Sequence, residues 1–208
     1  MQLQRNRQIR IQLADFKINH AEDLVIATTT SWLDKFVIGL NLCPFAKAVH
    51  AKKQIRFFVS AAIQRDKLLC DLKSELSLLA NADPEQIEST LLIHPEVLND
   101  FAEFNDFLAV CDLAVLELEL DGVIQVASFH PNYLFAGTKY NDISNYSNRS
   151  PFPTLHLLRE KSVASAVETF PDAAAIYERN IATLKKLGTT KLRSLFASLM
   201  DGAGPNEG

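Results

Sequence analysis

The apolar positions of this chain alternate between a period near 3.6 and a period near 2, and most of its elements can be read from that alternation. Val25, Trp32, Leu33, Phe36, Val37 and Leu40 share one helical face. They predict a first helix, with Asn19 as its cap and Glu22 at capping-box distance. Pro44 disfavours the α conformation at Cys43, so this helix is expected to stop near Leu42. The segment PFAKAVHAKK then predicts a short second helix, opened by proline and capped by Cys43. IRFFVS, from Ile55 to Ser60, reads as a buried strand. Leu68, Leu69, Leu72, Leu76 and Leu79 mark a helix over residues 64–80. A turn at Asp83-Pro84 precedes a second strand, TLLIH, from Thr90 to His94. Asn99 or Asp100 then caps a helix with Phe101, Phe104, Leu108 and Val115 on its inner side.

The next stretch carries two competing signals. VLELELDGVIQVA alternates across an Asp-Gly pair, as a β-hairpin would. Against that, no breaker interrupts Phe101 to Leu118, and the helical spacing continues from a well-capped start. The reading adopted is a helix to about Leu118, a turn at Asp121-Gly122 and a third strand from Val123 to Phe129. TLHLLRE, from Thr154, is a fourth strand. Ser162 is positioned to cap a short helix to Phe170. Asp172 to Leu187 predicts another, closed by Gly188, and a last amphipathic helix covers about Lys191 to Met200. The order α-β-α-β-α-β-β-α-α predicts one α+β domain over residues 19–200, a four-stranded mixed sheet covered by helices. Residues 1–18 are expected to form an arm, and residues 201–208 a disordered tail.

Between the third and fourth strands lies the longest stretch with neither period, His130 to Pro153. Irregular connections of this length are usually either functional or disordered. Three of the four tyrosines (Tyr133, Tyr140, Tyr146) and two of the thirteen phenylalanines (Phe135, Phe152) fall in it. That aromatic content argues against disorder and marks the connection as the place to look for function.

Composition changes the picture only slightly. The 208 residues, 48% hydrophobic and 22% charged, are ordinary for a globular protein. A net charge of −4 makes nucleic acid an improbable partner, since phosphates demand a basic surface. No run approaches the ~20 apolar residues that cross a bilayer, and the N-terminus has no signal-peptide core, so a cytoplasmic protein with no membrane association is expected. Cys43, Cys70 and Cys111 are too widely spaced for a disulfide framework or a CxxC metal site, and read as reduced thiols. No feature specifies a cofactor or an oligomeric state.

Several stretches taken together are distinctive: GLNLCPFA (Gly39 to Ala46), VASFHPNYLFAG (Val126 to Gly137), NYSNRSPFPTLHLLRE (Asn145 to Glu160) and ERNIATLKKLG (Glu178 to Gly188). In these the chain resembles a bacterial family, domain of unknown function 1415, over roughly residues 20–188. The resemblance implies a cytoplasmic, one-domain protein. It implies no activity, cofactor or catalytic residue.

The candidate chemistry therefore rests on residue types. Cys43, as a helix cap, would face a partly positive helix end that favours a thiolate. Its base would have to be His130 or His156, because His50 lies about two helical turns, ~10 Å, away. The plain alternative is a small buried hydrophobe. His130, at the end of one strand, and His156, within the strand to which the loop returns, form with Asp142 a His/His/carboxylate set of the kind catalytic zinc or iron uses. Equally, His130 is a strand-ending residue with a satisfied ring. Arg149, beside Asn148 and Ser150 and with Lys139 and Arg159 adding positive charge, is a candidate clamp for a small anion. The alternative is an arginine that ties the loop down. Ala136-Gly137-Thr138-Lys139 lacks the glycine-rich lead of a P-loop, and Glu178-Arg179-Asn180 is a candidate support beneath the loop.

The leading expectation is an enzyme, a hydrolase or group transferase, acting on a small polar anionic substrate under the 130–153 loop. His130 would be its acid or base, Arg149 its clamp, and Tyr133, Asp142 and Asn148 its orienting groups. Two other readings use the same residues: a non-catalytic module for a metabolite or nucleotide, and a protein-interaction surface.

Overall fold

In the computed structural model, which describes residues 21–169 and 173–201, the four strands form one mixed sheet with helices on both faces. The strands are β1 (Ile55–Val59), β2 (Ser89–Ile93), β3 (Ile124–Phe129) and β4 (Thr154–Arg159), in the spatial order β1-β2-β4-β3. β1 and β2 run parallel, as a strand-helix-strand unit requires. β4 is antiparallel to both of its neighbours, with Leu91 opposite His156 on one side and Ala127 opposite His156 on the other. The long connection therefore carries the chain from edge strand β3 back to a central position. The arm at 1–18, the cap at Asn19, the helix ends at Phe170 and Asp172, and the tail beyond Asp201 lie outside the described residues.

Alternation along the strands sends two different cores to the two faces. Leu92, Leu155, Leu157 and Ile124 face α3 (Arg65–Asn81) and α4 (Phe101–Glu117), whose Leu68, Leu72, Leu76, Leu79, Phe104 and Phe107 are buried against them. The expected leucine stripe is thus core. Ile55, Phe57 and Phe129 face the other way, toward Trp32, Leu33, Phe36 and Val37 and the C-terminal helices. β1 was expected to be buried, but every one of its residues is only partly covered, because it is an edge strand. β2, flanked on both sides, is buried throughout.

Local chemistry explains where the helices stop. α1, residues 21–32, widens into a π-helical turn, Leu33–Ile38, and ends at Gly39 rather than near Leu42. A Cβ at Gly39 would collide with the carbonyl oxygen of Lys35, so the bend needs glycine there. The next helix, α2, is Ala46–Ala51 with Phe45 at its cap. Cys43 lies ahead of the cap position, since both Pro44 and Phe45 are spent on the preceding turn. Asp100 caps α4, accepting from the Glu103 amide at 3.1 Å. Helical spacing wins over the hairpin signal up to Glu117: Glu119 takes a left-handed φ of 57°, and the Leu120 amide closes on the Val115 carbonyl.

The C-terminal helices are α5 (Glu160–Thr169), α6 (Ala173–Leu187) and α7 (Thr189–Asp201). α5 follows β4 without a connecting residue, so Ser162 falls inside the first turn and is not its cap. Gly188, at φ +81°, separates α6 from α7, which begins at Thr189, ahead of the expected Lys191. Asn180 ties α6 to the end of the first helical segment by donating to the Leu42 carbonyl at 2.8 Å, while α6 itself packs against the Ile143–Asn148 stretch of the long loop.

Leu157 lies at the centre of the sheet and is fully buried between α3 and α4. Leu157→Ala is expected to lower the free energy of unfolding by about 2–5 kcal/mol, measured as a lower urea midpoint with an unchanged slope.

Candidate functional site

The connection from His130 to Pro153 is ordered by its own polar side chains, as a buried irregular segment must be. Asn145, fully buried, accepts from the Phe135 amide at 3.0 Å and the Thr138 hydroxyl at 2.9 Å, and donates to the Lys139 carbonyl at 2.9 Å. Asp142 caps a short 3-10 helix, Ile143–Asn148, accepting from both the amide and the hydroxyl of Ser144. Those two hydrogen bonds hold its carboxyl below the usual range, with a further contribution from Lys185. Asn148 donates to the Ser128 carbonyl, and its own carbonyl accepts from the His130 amide. Ser150 is buried and donates to the Phe152 carbonyl at 2.6 Å. The segment is therefore a folded strap against the sheet end.

The two histidines proposed as partners end on opposite faces of the sheet. His130 sits under α4, with its ring 5.0 Å from that of Phe104 and 5.4 Å from that of Phe101. Its Nδ1 accepts from the Asn132 amide at 3.0 Å and its Nε2–H donates to the Leu98 carbonyl at 3.2 Å. Both nitrogens are thereby used, the tautomer is set, and burial lowers the pKa. His94 is the imidazole nearest in character: also fully buried, it stacks on the other side of the same cluster against Phe104 and donates from Nδ1 to the Val97 carbonyl. His156 points to the other face, 6.2 Å in ring distance from Phe129. Among the described residues, no three His, Cys, Asp or Glu side chains converge as a metal site would need. The set His130, His156 and Asp142 is split by the sheet itself.

Arg149 does sit at a pocket. Its guanidinium lies over the rings of Tyr140 and Tyr146, at 4.8 and 4.6 Å, and donates to the Tyr140 carbonyl at 2.8 Å. The residue is 7% exposed, and no carboxylate among the described residues pairs with it. Its Nε is sealed from water with no hydrogen-bond partner. Such a charge is costly unless something compensates it. It borders an open pocket of about 270 Å³ with Tyr140, Asn141, Tyr146, Thr189 and Arg193. Two guanidinium groups therefore line one concavity that contains no acidic side chain. The backbone of Arg149 is anchored separately, its carbonyl accepting from the indole N–H of Trp32 at 3.0 Å.

The other residues expected at this site are elsewhere. Tyr133 packs on Phe101 and Phe135. Lys139 is exposed and outside the pocket lining. Arg159 caps the end of α3, its Nη2 donating to the carbonyls of Leu79, Ala82 and Ile87. Asn148 and Ser150 are occupied by the backbone bonds above. Cys43 lines a separate, apolar cavity on the far face, which His156 also lines. Sequence reasoning missed Arg193 and Thr189, which come from a helix far along the chain. Tyr140 and Tyr146 were visible as aromatics of the loop, but no spacing rule ties two rings to a buried arginine.

Burial also gives the fold a pH dependence. His94 and His156 are both held near pKa 4, against an ordinary 6.5, chiefly because burial disfavours the charged ring. Around His156 protein encloses the ring, although the cavity leaves part of its surface open. Unfolded chains take up a proton on each histidine near pH 6.5, and the folded protein takes it up only near pH 4. Their contribution is intact above pH 6.5 and is lost as the pH falls from 6.5 toward 4, with a slope of at most about 1.4 kcal/mol per pH unit for each ring. His156→Phe is expected to flatten the fall in unfolding free energy between pH 6 and 5 by about 1 kcal/mol, measured by urea titration at each pH. An unchanged pH dependence would mean that His156 does not titrate on unfolding.

No helix among the described residues is long and apolar enough to cross a membrane. No curated protein and no solved structure matches the chain. One family does, over residues 24–194, a span that includes the whole strap from His130 to Pro153 and reaches Thr189 and Arg193, beyond the limit expected from the sequence. The chain belongs to the family described as "Protein of unknown function (DUF1415)".

Proposed function

We propose that this protein binds a small polar anion, a phosphate- or carboxylate-bearing molecule, in the pocket between the strap and α7, and does so as a binding module. One observation carries the reading: Arg149 is buried against two tyrosine rings with no acidic partner among the described residues, beside a second arginine, Arg193. A guanidinium offers five N–H donors in a planar fork, and Arg149 gives one hydrogen bond to the protein among the described residues. An arginine kept only to tie the loop down would not need Arg193 facing the same space. Tyr140, Asn141 and Thr189 add hydroxyl and amide groups suited to the remaining oxygens of an anion.

The reading as a binding module, in preference to a hydrolase or transferase, is supported by the position of the acid/base candidates. His130 has both ring nitrogens engaged, Asp142 is spent on its cap, and Cys43 lies on the other face. None of them lines the pocket.

Arg149 is too deeply built into the strap for its removal to report on binding alone, so the test falls on exposed Arg193. With inorganic phosphate and citrate as probes in low-salt calorimetry, one saturable site is expected. Arg193→Ala should weaken it by roughly 10–100-fold, the loss of one charge-assisted hydrogen bond of about 1.5–3 kcal/mol, with the melting temperature nearly unchanged. Raising ionic strength should weaken binding as well. Absence of a saturable site for both anions, or equal affinity in Arg193→Ala, would overturn the reading.

A further inference from the structure

The sheet face opposite α3 and α4 holds a second cavity, of about 290 Å³, and it is chemically unlike the first. Its walls include Trp32, Val49, Leu91, Ala127 and Val163, contributed by α1, α2, the sheet and α5, with His156 on its floor between Leu91 and Ala127. A cavity of about 150 Å³ lined by apolar side chains accommodates benzene, so this one has room for a body roughly twice that size. Mainly apolar walls with a few polar groups, here including His156, Gln125 and Ser162, are the usual composition of a small-molecule site.

His156 is the reason to regard the cavity as more than a packing gap. Its ring is only partly buried: Nε2 is sealed even from the cavity, whereas Nδ1 is not sealed and has no hydrogen-bond partner among the described residues. An unpaired buried polar group costs about 1–3 kcal/mol, and His156 differs from the equally orphaned His94 in lining a cavity. Neutral imidazole both donates and accepts, so it suits a hydroxyl, carbonyl or ring nitrogen. The charged groups of the lining argue against an anion: Arg159 gives its Nη2 to three carbonyls while its unpartnered Nε is sealed and so offers nothing to the cavity, and Glu88 contributes negative charge.

We infer that this cavity is a binding site for a small neutral molecule with an apolar body and a single hydrogen-bonding group, which His156 receives. The site is independent of the anion pocket. Trp32 stands between the two, its ring in the cavity wall and its N–H bonded to the carbonyl of Arg149. Because Trp32 is the only tryptophan of the chain, its emission reads occupancy of this cavity directly.

The test uses the full chain titrated with 1-octanol and, separately, octanoate. For 1-octanol, saturable one-to-one binding is expected, with a shift in Trp32 emission and a higher melting temperature; octanoate should bind at least tenfold more weakly. Ala127→Leu, which fills the space beside His156, should weaken octanol binding at least tenfold, and His156→Phe should weaken it several-fold while preserving the cavity's bulk. Should Ala127→Leu fail to fold, Ala46→Leu fills the cavity from α2 instead. No saturable binding of 1-octanol, unchanged affinity in the filled variant, unchanged affinity in His156→Phe, or octanoate binding as tightly as octanol would each overturn the inference.

Discussion

The constraint on which the architecture depends is that the chain must leave edge strand β3 and return to the middle of the sheet as β4 without orphaning the backbone between them. β3 and β4 are directly paired and antiparallel, so a two-residue turn could join them, yet the chain uses the long connection from His130 to Pro153. A connection of that length stands only if its own amides and carbonyls find partners where water cannot reach them. Asn145 supplies three of those bonds from one buried side chain, joining Phe135, Thr138 and Lys139. Arg149 adds the bond to Tyr140 and, through its carbonyl, the link to Trp32 on α1. The strap is thus held to itself, to the sheet end through Asn148, and to the helical layer on the far face.

That arrangement leaves two concavities of opposite character on either side of Trp32. One is lined by two arginines and two tyrosines, the other by apolar side chains around a neutral histidine. The difference follows from depth. At the rim, Thr189 and Arg193 of α7 meet water beside the buried Arg149 of the strap. On the sheet face, the enclosing helices strip water from His156 and hold it neutral, with a pKa near 4. A protein with both environments has the means to recognise a charged group and an apolar one separately.

Much of the fold was legible because it is written in local periodicity. The leucines of α3 and the phenylalanines of α4 mark their inner faces, and Asp100 and Gly188 mark ends by their own cap and left-handed preferences. Errors arose where the deciding partner was distant or the bend unusual. The π-helical turn at Leu33–Ile38 looks like ordinary helix in sequence, since its wider winding is a property of packing. Ser162 has the chemistry of a cap and still lies inside α5, because β4 runs directly into that helix.

The sequence by itself determined the element order, the mixed four-stranded sheet and the position of the long irregular connection, because each depends on neighbours within a few turns or strands. It also singled out Arg149. Only the tertiary structure decided what surrounds that arginine and which histidine faces open space. In sequence His130 ends one strand and His156 lies within the next, and both border the same loop. The alternation of side chains across a sheet sends one into a sealed cluster with Phe104 and the other into a cavity. Arg193 comes to Arg149 only because α6 and α7 fold back over the strap. Sites assembled from such distant pieces leave no local signature, since no part of the pattern exists until the chain has packed.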